Sequence, residues 1–334
     1  MGTLAGVGIN ETNERLSASL SSFQPKIADN IFKRQPTIEW IKKQKKTYNG
    51  GTEVKVRFRY TKGGKTGSAG GVKAFQYYDT LNTSPTDTIK TGRATWKNLA
   101  APITLSHEEL RENSGEKAFD RFKEKTEEQM DLLAEDMNDQ AWGISSESGD
   151  KLIEPIVSIV SGSDAGTLHG LAKASNTWLY SQELTSAGDL ATNLIDRMRS
   201  GRNLCIDNAP NKGDKLDLWV CDRTVYEGFE DIHPTFLQYT TNKDVDLGFE
   251  QLIYTGVPVR FDASVPLDSA GLRQMFGLMS KYWECAIDTE WNFMTTKFYD
   301  MLPKQAASTA QIIVRWSLIC NNPRTNVRIS GITT

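Results

Sequence analysis

Three short runs invite a chemical reading. Gly64-Lys65-Thr66 follows a strand-like stretch, as the lysine of a phosphate loop would. Such a loop needs GxxxxGK(S/T) opening a helix, because backbone N–H groups and the helix N-terminus hold the phosphates. Arg59 stands where the first glycine belongs, and SAGGVKAFQYY, which follows, reads as strand. Nucleotide binding is set aside. His107-Glu108-Glu109 is not HExxH, and His107, His169 and His233 are far apart in sequence from one another and from the cysteines. No zinc-ligand spacing results. Asp244 and Asp246 in NKDVDLG lack the spacing and closing glutamate of a calcium loop, and no GxSxG is present. The chain reads as no enzyme, with no cofactor and no metal.

What remains are two charge constellations suited to binding. From Lys42 to Lys65 come Lys42, Lys43, Lys45, Lys46, Lys55, Arg57, Arg59, Lys62 and Lys65, against Glu53 alone. Further on, Glu124, Glu127, Glu128, Asp131, Glu135, Asp136 and Asp139 form an acidic series. The bland reading of the acids is a solvated helix face. The sharper one is a surface that receives something basic. The cations admit nucleic acid as partner, or the acidic surface of a neighbouring copy.

These residues need elements to position them. TEVKVRFRY alternates, with Val54, Val56 and Phe58 on one side and Lys55, Arg57 and Arg59 on the other, so it reads as a half-exposed strand. KGGKTGSAGG is a flexible tip, and VKAFQYYDTL is expected to return as the second strand. A lone two-stranded ribbon is marginal in water, so this one should rest on another surface. The acids belong to the run 113–143. Phe119, Phe122, Thr126, Met130, Leu133, Met137 and Ala141 recur there at helical spacing, which predicts a long helix over 114–142. Asn113 and Glu116 suit a capping box, and Gly143 suits a left-handed stop.

Around them the chain reads as mixed α+β. Residues 1–22 form a polar arm, and FQPKIADNIFKRQP is a short helix ended by Pro36. A strand lies near 94–105, and KLIEPIVSIVSG is a buried strand. TSAGDLATNLIDRMRSGRN is a helix, capped by Ser186 and ended by Gly201, with Leu190, Leu194, Ile195 and Met198 inward. KLDLWVCD is a strand before the helix RTVYEGFEDI, and LGFEQLIYTGVPVRFDASV is two strands joined near Tyr254 to Val257. GLRQMFGLMSKYWECAID and QIIVRWSLICNNPRTNVRISGI supply the last strands.

With 334 residues, 38% apolar and 24% charged, the chain has the composition of a globular protein of one large or two modest domains. A net charge of −3 is too small to make nucleic acid or membrane the main partner. No apolar run is long enough to span a membrane, and MGTLAGVGIN has neither the basic start nor the apolar core of a signal peptide. Cys205, Cys221, Cys285 and Cys320 are widely spaced, which suits buried free thiols and synthesis in a reducing cytoplasm.

The order of these parts resembles the major capsid proteins of tailed bacteriophages, with the Hong Kong 97-like fold. The resemblance is carried by TEVKVRFRYTKGGKTGSAGGVKAFQYYD, by WKNLAAPITLSHEELREN leading into the long helix, by LWVCDRTVYEGF, by FEQLIYTGVPVRFDASV and by the closing WSLICNNPR. It covers the chain from about Phe23 onward.

The resemblance implies an N-terminal arm (1–49) and an extended β-hairpin loop (50–81). It also implies a peripheral domain (82–183 and 266–334) holding the spine helix 114–142, and an axial domain (184–265). The function it implies is a shell subunit, many copies of which, as hexamers and pentamers, build an icosahedral head around a DNA genome. Assembly would take place in the host cytoplasm and leave the protein in the virion. Loop cations Lys55, Arg57, Arg59, Lys62 and Lys65 would then meet Glu124, Glu127, Glu128, Asp131 and Glu135 of the next copy's spine helix. The short arm leaves no room for a built-in scaffold, so a separate scaffolding protein is implied, with a portal, and with packaged DNA as a minor contact. Some members crosslink a loop lysine to a neighbour's asparagine. Lys62, Lys65 and Lys73 opposite Asn321, Asn322 or Asn326 would be the groups here, but no local signature selects them and ordinary surface lysines are the preferred reading. Encapsulin-like nanocompartment shells share the fold and stand as the alternative.

Overall fold

The computed structural model describes residues 35–61, 72, 74–81, 87–108, 121–145, 147, 149–185, 188–211, 213–232, 252–297, 299–300 and 305–333. The chain divides into two compact units. In its described part, one is built from 100–133 and 293–313, and the other from 34–99, 134–292 and 314–334.

The larger unit is organised on a seven-stranded sheet, and the order of its main path is β10 (Leu252–Tyr254), β11 (Val257–Phe261), β9 (Leu218–Cys221), β12 (Arg273–Leu278), β17 (Val327–Thr333) and β7 (Gln182–Leu184). The short β8 (Gly188–Asp189) also pairs with β17. Helices α4 (Leu190–Asp207) and α5 (Arg223–Ile232) pack against it. Leu194, Met198, Trp219, Val225, Phe229, Val259, Met275, Val327 and Ile329 meet in one buried cluster. At about 1.5–3 kcal/mol for each large side chain taken fully from water, this cluster dominates the unit's stability. Helix α1 (Pro36–Lys43) buries Ile38, Trp40 and Ile41 in the same unit. Strand β1 (Lys45–Tyr48) then pairs in parallel with β13 (Trp283–Asp288).

Strand β16 (Ala307–Cys320) runs through both units. Its later half pairs with β13, and its earlier half with β14 (Met294–Thr295), β15 (Tyr299–Asp300) and β4 (Lys97–Ser106). The long helix α2 (Arg121–Trp142) also runs through both.

Pro36 opens α1, since proline's fixed φ and missing N–H suit the first helical turn, while the helix expected before it lies, up to residue 34, outside the described residues. Three local expectations change. KLIEPIVSIVSG contains a short helix, α3 (Ile156–Ile159), not a strand, and buries Ile156 and Ile159 at helical spacing. Gly201 lies inside α4 rather than ending it. A Cβ there would come within 3.0 Å of Val327, so the glycine permits close approach of helix to strand. Finally, VKAFQYYDTL is not the return strand of the ribbon. In its described residues 74–81 it makes a turn, in which Asp79 N–H donates to Gln76 O at 3.0 Å. Helix α2 is described from Arg121, so the expected cap at Asn113 and Glu116 lies outside the described residues, as do the polar stretch 1–22, Phe119 and Ser186.

Candidate functional site, a basic ribbon and an acidic helix

Strand β2 (Glu53–Arg59) follows the period-two alternation of its sequence. Val54, Val56 and Phe58 are buried, and Lys55, Arg57 and Arg59 are exposed. Its antiparallel partner is β3 (Ile89–Thr95), with Lys55 opposite Arg93, Arg57 opposite Thr91 and Arg59 opposite Ile89. Like charges set directly opposite are unfavourable unless anions offset them. Glu53 does so for Arg93, at 3.5 Å. The ribbon thus gathers Lys55, Arg57, Arg59 and Arg93 on one outward face. Lys62, Lys65 and Lys73 lie outside the described residues, as do Gly64, Thr66, His233, Asp244 and Asp246.

The buried face rests on the chain itself, so the surface that a lone ribbon needs is supplied within its own unit. Phe58 stacks on His169, with planes 12° apart and centroids 6.1 Å apart, and meets Trp178 at 5.4 Å. Arg93 N–H donates to His169 O at 2.6 Å. A Cβ on Gly92 would sit 3.0 Å from both His169 O and the Phe58 ring, so only glycine lets β3 lie this close. The seat beneath is polar and closely bonded. Glu154 accepts from His169 N–H at 2.8 Å and from its Nδ1–H at 2.8 Å, while Nε2 accepts from Cys320 N–H at 3.2 Å. This pattern places the ring hydrogen on Nδ1. Lys173 is buried and donates to Ser158 O at 2.6 Å, filling the carbonyl end of α3, and burial lowers its pKa.

On α2, Glu127, Glu128 and Asp131 are exposed and Glu135 is half-buried, while Glu124 lies in the same helix. Leu133, Met137 and Ala141 are buried as the spacing predicts, with Trp142 buried beside them, but Met130, expected on the same face, is 38% exposed. Within the larger unit the end of α2 is held by Asn138, whose Nδ2 donates to the buried Asp262 carboxylate at 3.1 Å, and by Trp142 against Phe276 at 5.0 Å. Gly143, at φ +77°, stops the helix.

Among the residues considered for chemistry, Cys205, Cys221, Cys285 and Cys320 are buried and free. Burial pushes the Cys285 and Cys320 thiols up to about 12, so they are poor nucleophiles. Asn326 is fully buried, and its Oδ1 accepts from Met279 N–H at 3.0 Å and Trp283 Nε1–H at 2.9 Å. It is a structural hub and cannot reach a neighbour's lysine, whereas Asn321 is exposed. Among the described residues no three His, Cys, Asp or Glu side chains converge as a metal site would require. Sequence reasoning missed Arg93, His169 and Trp178. The only signal was aromatic and basic residues whose pairing is non-local.

No protein-family model and no curated protein sequence matches the chain. Solved structures do. The capsid of cyanophage A-1(L) superposes with a TM-score of 0.70 at 13% identity, over 95% of this chain and 98% of that one. The mature capsid of bacteriophage PhiM1 gives 0.59 at 13% identity, over 94% and 92%. The SrpI encapsulin of Synechococcus elongatus gives 0.57 at 11% identity, over 96% and 95%. The fold is the α+β, Hong Kong 97-like fold of these shell proteins.

Proposed function

We propose, from a fold held in common with phage capsids, that this chain is the major capsid protein of a tailed bacteriophage: a structural subunit that self-assembles into an icosahedral head around DNA. One observation carries the reading. The likeness to the cyanophage capsid is mutual and nearly end to end, covering 95% of one chain and 98% of the other. Mutual coverage argues for a shared use more strongly than a shared subdomain does, although fold alone never fixes function.

In this reading the outward cations Lys55, Arg57 and Arg59, with Lys62 and Lys65, meet Glu124, Glu127, Glu128, Asp131 and Glu135 of the next copy. Alternate strand residues repeat every ~6.8 Å and successive helix turns every ~5.4 Å, a mismatch that long side chains absorb. An exposed ion pair contributes only about 0–1 kcal/mol, so the charges orient neighbours while apolar contact holds them. The extended loop is taken to 95, because β3 and not 72–81 closes it. The axial domain proposed at 184–265 also takes in β12 and β17, which belong to its sheet. A separate scaffolding protein, a portal, and packaged DNA as a minor contact complete the proposal, with assembly in the host cytoplasm and residence in the virion.

Size-exclusion chromatography and negative-stain imaging of the expressed chain, alone and with its scaffold, test it. Closed megadalton particles are expected, and a protein that remains monomeric or dimeric under both conditions overturns the reading. The encapsulin likeness supports a second use of the same shell, around protein cargo. Nuclease-protected DNA inside native particles decides for the phage head, and enclosed protein without DNA for the nanocompartment.

A further inference from the structure

The ribbon leaves and re-enters the body of its unit at two points. It leaves through Asn49, Gly50 and Gly51, where both glycines adopt left-handed φ, +58° and +92°. No side chain crowds Gly50, and around Gly51 only a backbone oxygen comes near. It returns through Trp96, which separates β3 from β4. Arg315, on β16, touches both points. Its Nη2 donates to Gly51 O at 2.8 Å, and its guanidinium lies over the Trp96 ring, 5.3 Å from the centroid. Its Nη1 donates to the buried carboxylate of Asp288 at 3.3 Å. Trp96 in turn meets Tyr48 edge-on at 6.3 Å, one residue before the exit.

We infer that Arg315 is a latch that sets the direction in which the ribbon leaves the body, with Gly50 and Gly51 as the flexible joint it immobilises. The chemistry suits arginine alone. A planar guanidinium can fork to a carboxylate and a carbonyl while its face stacks on indole, and an ammonium cannot do all three. Asp288 neutralises the charge and fixes its orientation. Two glycines in left-handed backbone, free of side-chain packing, would otherwise leave the exit strand many directions. The aromatic seat at Phe58, His169 and Trp178 holds the ribbon further along, so the latch governs the root and the seat governs the middle. Through the root it aims Lys55, Arg57 and Arg59. That last consequence rests on the shell reading, but the latch itself does not.

Hydrogen–deuterium exchange on the full-length chain tests it, comparing wild type with Arg315→Lys and Asp288→Asn. Amides in peptides spanning 49–55 and 93–99 should exchange about tenfold faster in Arg315→Lys, with a smaller change in Asp288→Asn. The core strands 218–221 and 273–278 should exchange as in wild type. Unchanged exchange at the root overturns the latch. So does equal acceleration at root and core, since that would mark Arg315 as merely structural. If Arg315→Lys does not fold, Asp288→Asn carries the same comparison. Normal particles with a loosened root would leave the shell reading standing, and absent particles with an intact latch would remove the shell reading alone.

Discussion

Asp217 illustrates how a single side chain can carry a pH dependence that sequence does not announce. Its carboxylate accepts from Ser280 N–H at 3.0 Å and from the Ser280 hydroxyl. Burial is the larger influence, and raises its pKa to about 6 against the donors' opposite pull. The folded form therefore holds a proton that the unfolded chain has released above pH of about 4. Stability from this group is complete below pH of about 4 and is lost as pH rises through 6, by up to about 3 kcal/mol. Denaturant unfolding of the unassembled protein between pH 4 and 7 should show this decline. Asp217→Asn should flatten it, and parallel curves for the two proteins would refute the assignment. Asn326 teaches the same lesson from the other side. In NNPRTN it looks like one of several surface asparagines, yet it is the buried acceptor that joins β13 to the strand connection.

At the scale of elements, period-two alternation in β2 was readable because it is local. Each residue's side follows from strand geometry, whatever lies opposite. The partner strand was not readable. FQYYDTL and IKTGRAT both fit an extended strand, and the choice of IKTGRAT follows from Gly92 passing over His169 and from Arg93 bonding its carbonyl, contacts far apart in sequence. In α2 the acids were placed correctly on a solvent-facing side at Glu127, Glu128 and Asp131, while Met130 turned outward. Replacing Lys55, Arg57 and Arg59 together by Glu should abolish particle formation and leave the circular dichroism and thermal midpoint of the unassembled chain close to wild type, since all three side chains are solvent-facing. Normal particles from this variant would make the charge match incidental. A variant that fails to fold would contradict the exposed placement of the three residues.

For the molecule as a whole, α2, β4 and β16 each contribute residues to both compact units, and β16 also delivers Arg315 to the root of the ribbon. A shell held in register by surface charge should respond to salt. Raising ionic strength from about 0.1 to 1 M shortens the screening length from about 10 to 3 Å. Light scattering should record assembly slowed severalfold, and the effect should vanish if the contacts are purely apolar. Insensitivity to salt in wild type would detach the cationic ribbon from assembly while leaving the shell reading to the imaging test.

By itself the sequence determined the alternating basic strand, the long acidic helix and its glycine stop, the buried thiols, and an order of parts similar to a capsid fold. All of these depend on spacing within a few residues or on the succession of such segments. Tertiary structure alone decided which strand closes the ribbon, that the ribbon's apolar face is seated on its own unit, that Gly201 serves close packing, that Asn326 is buried, and that Arg315 reaches Gly51 and Trp96. Each of these requires residues tens to hundreds of positions apart to meet. Such meetings are set by the packing of whole elements, which no local pattern encodes.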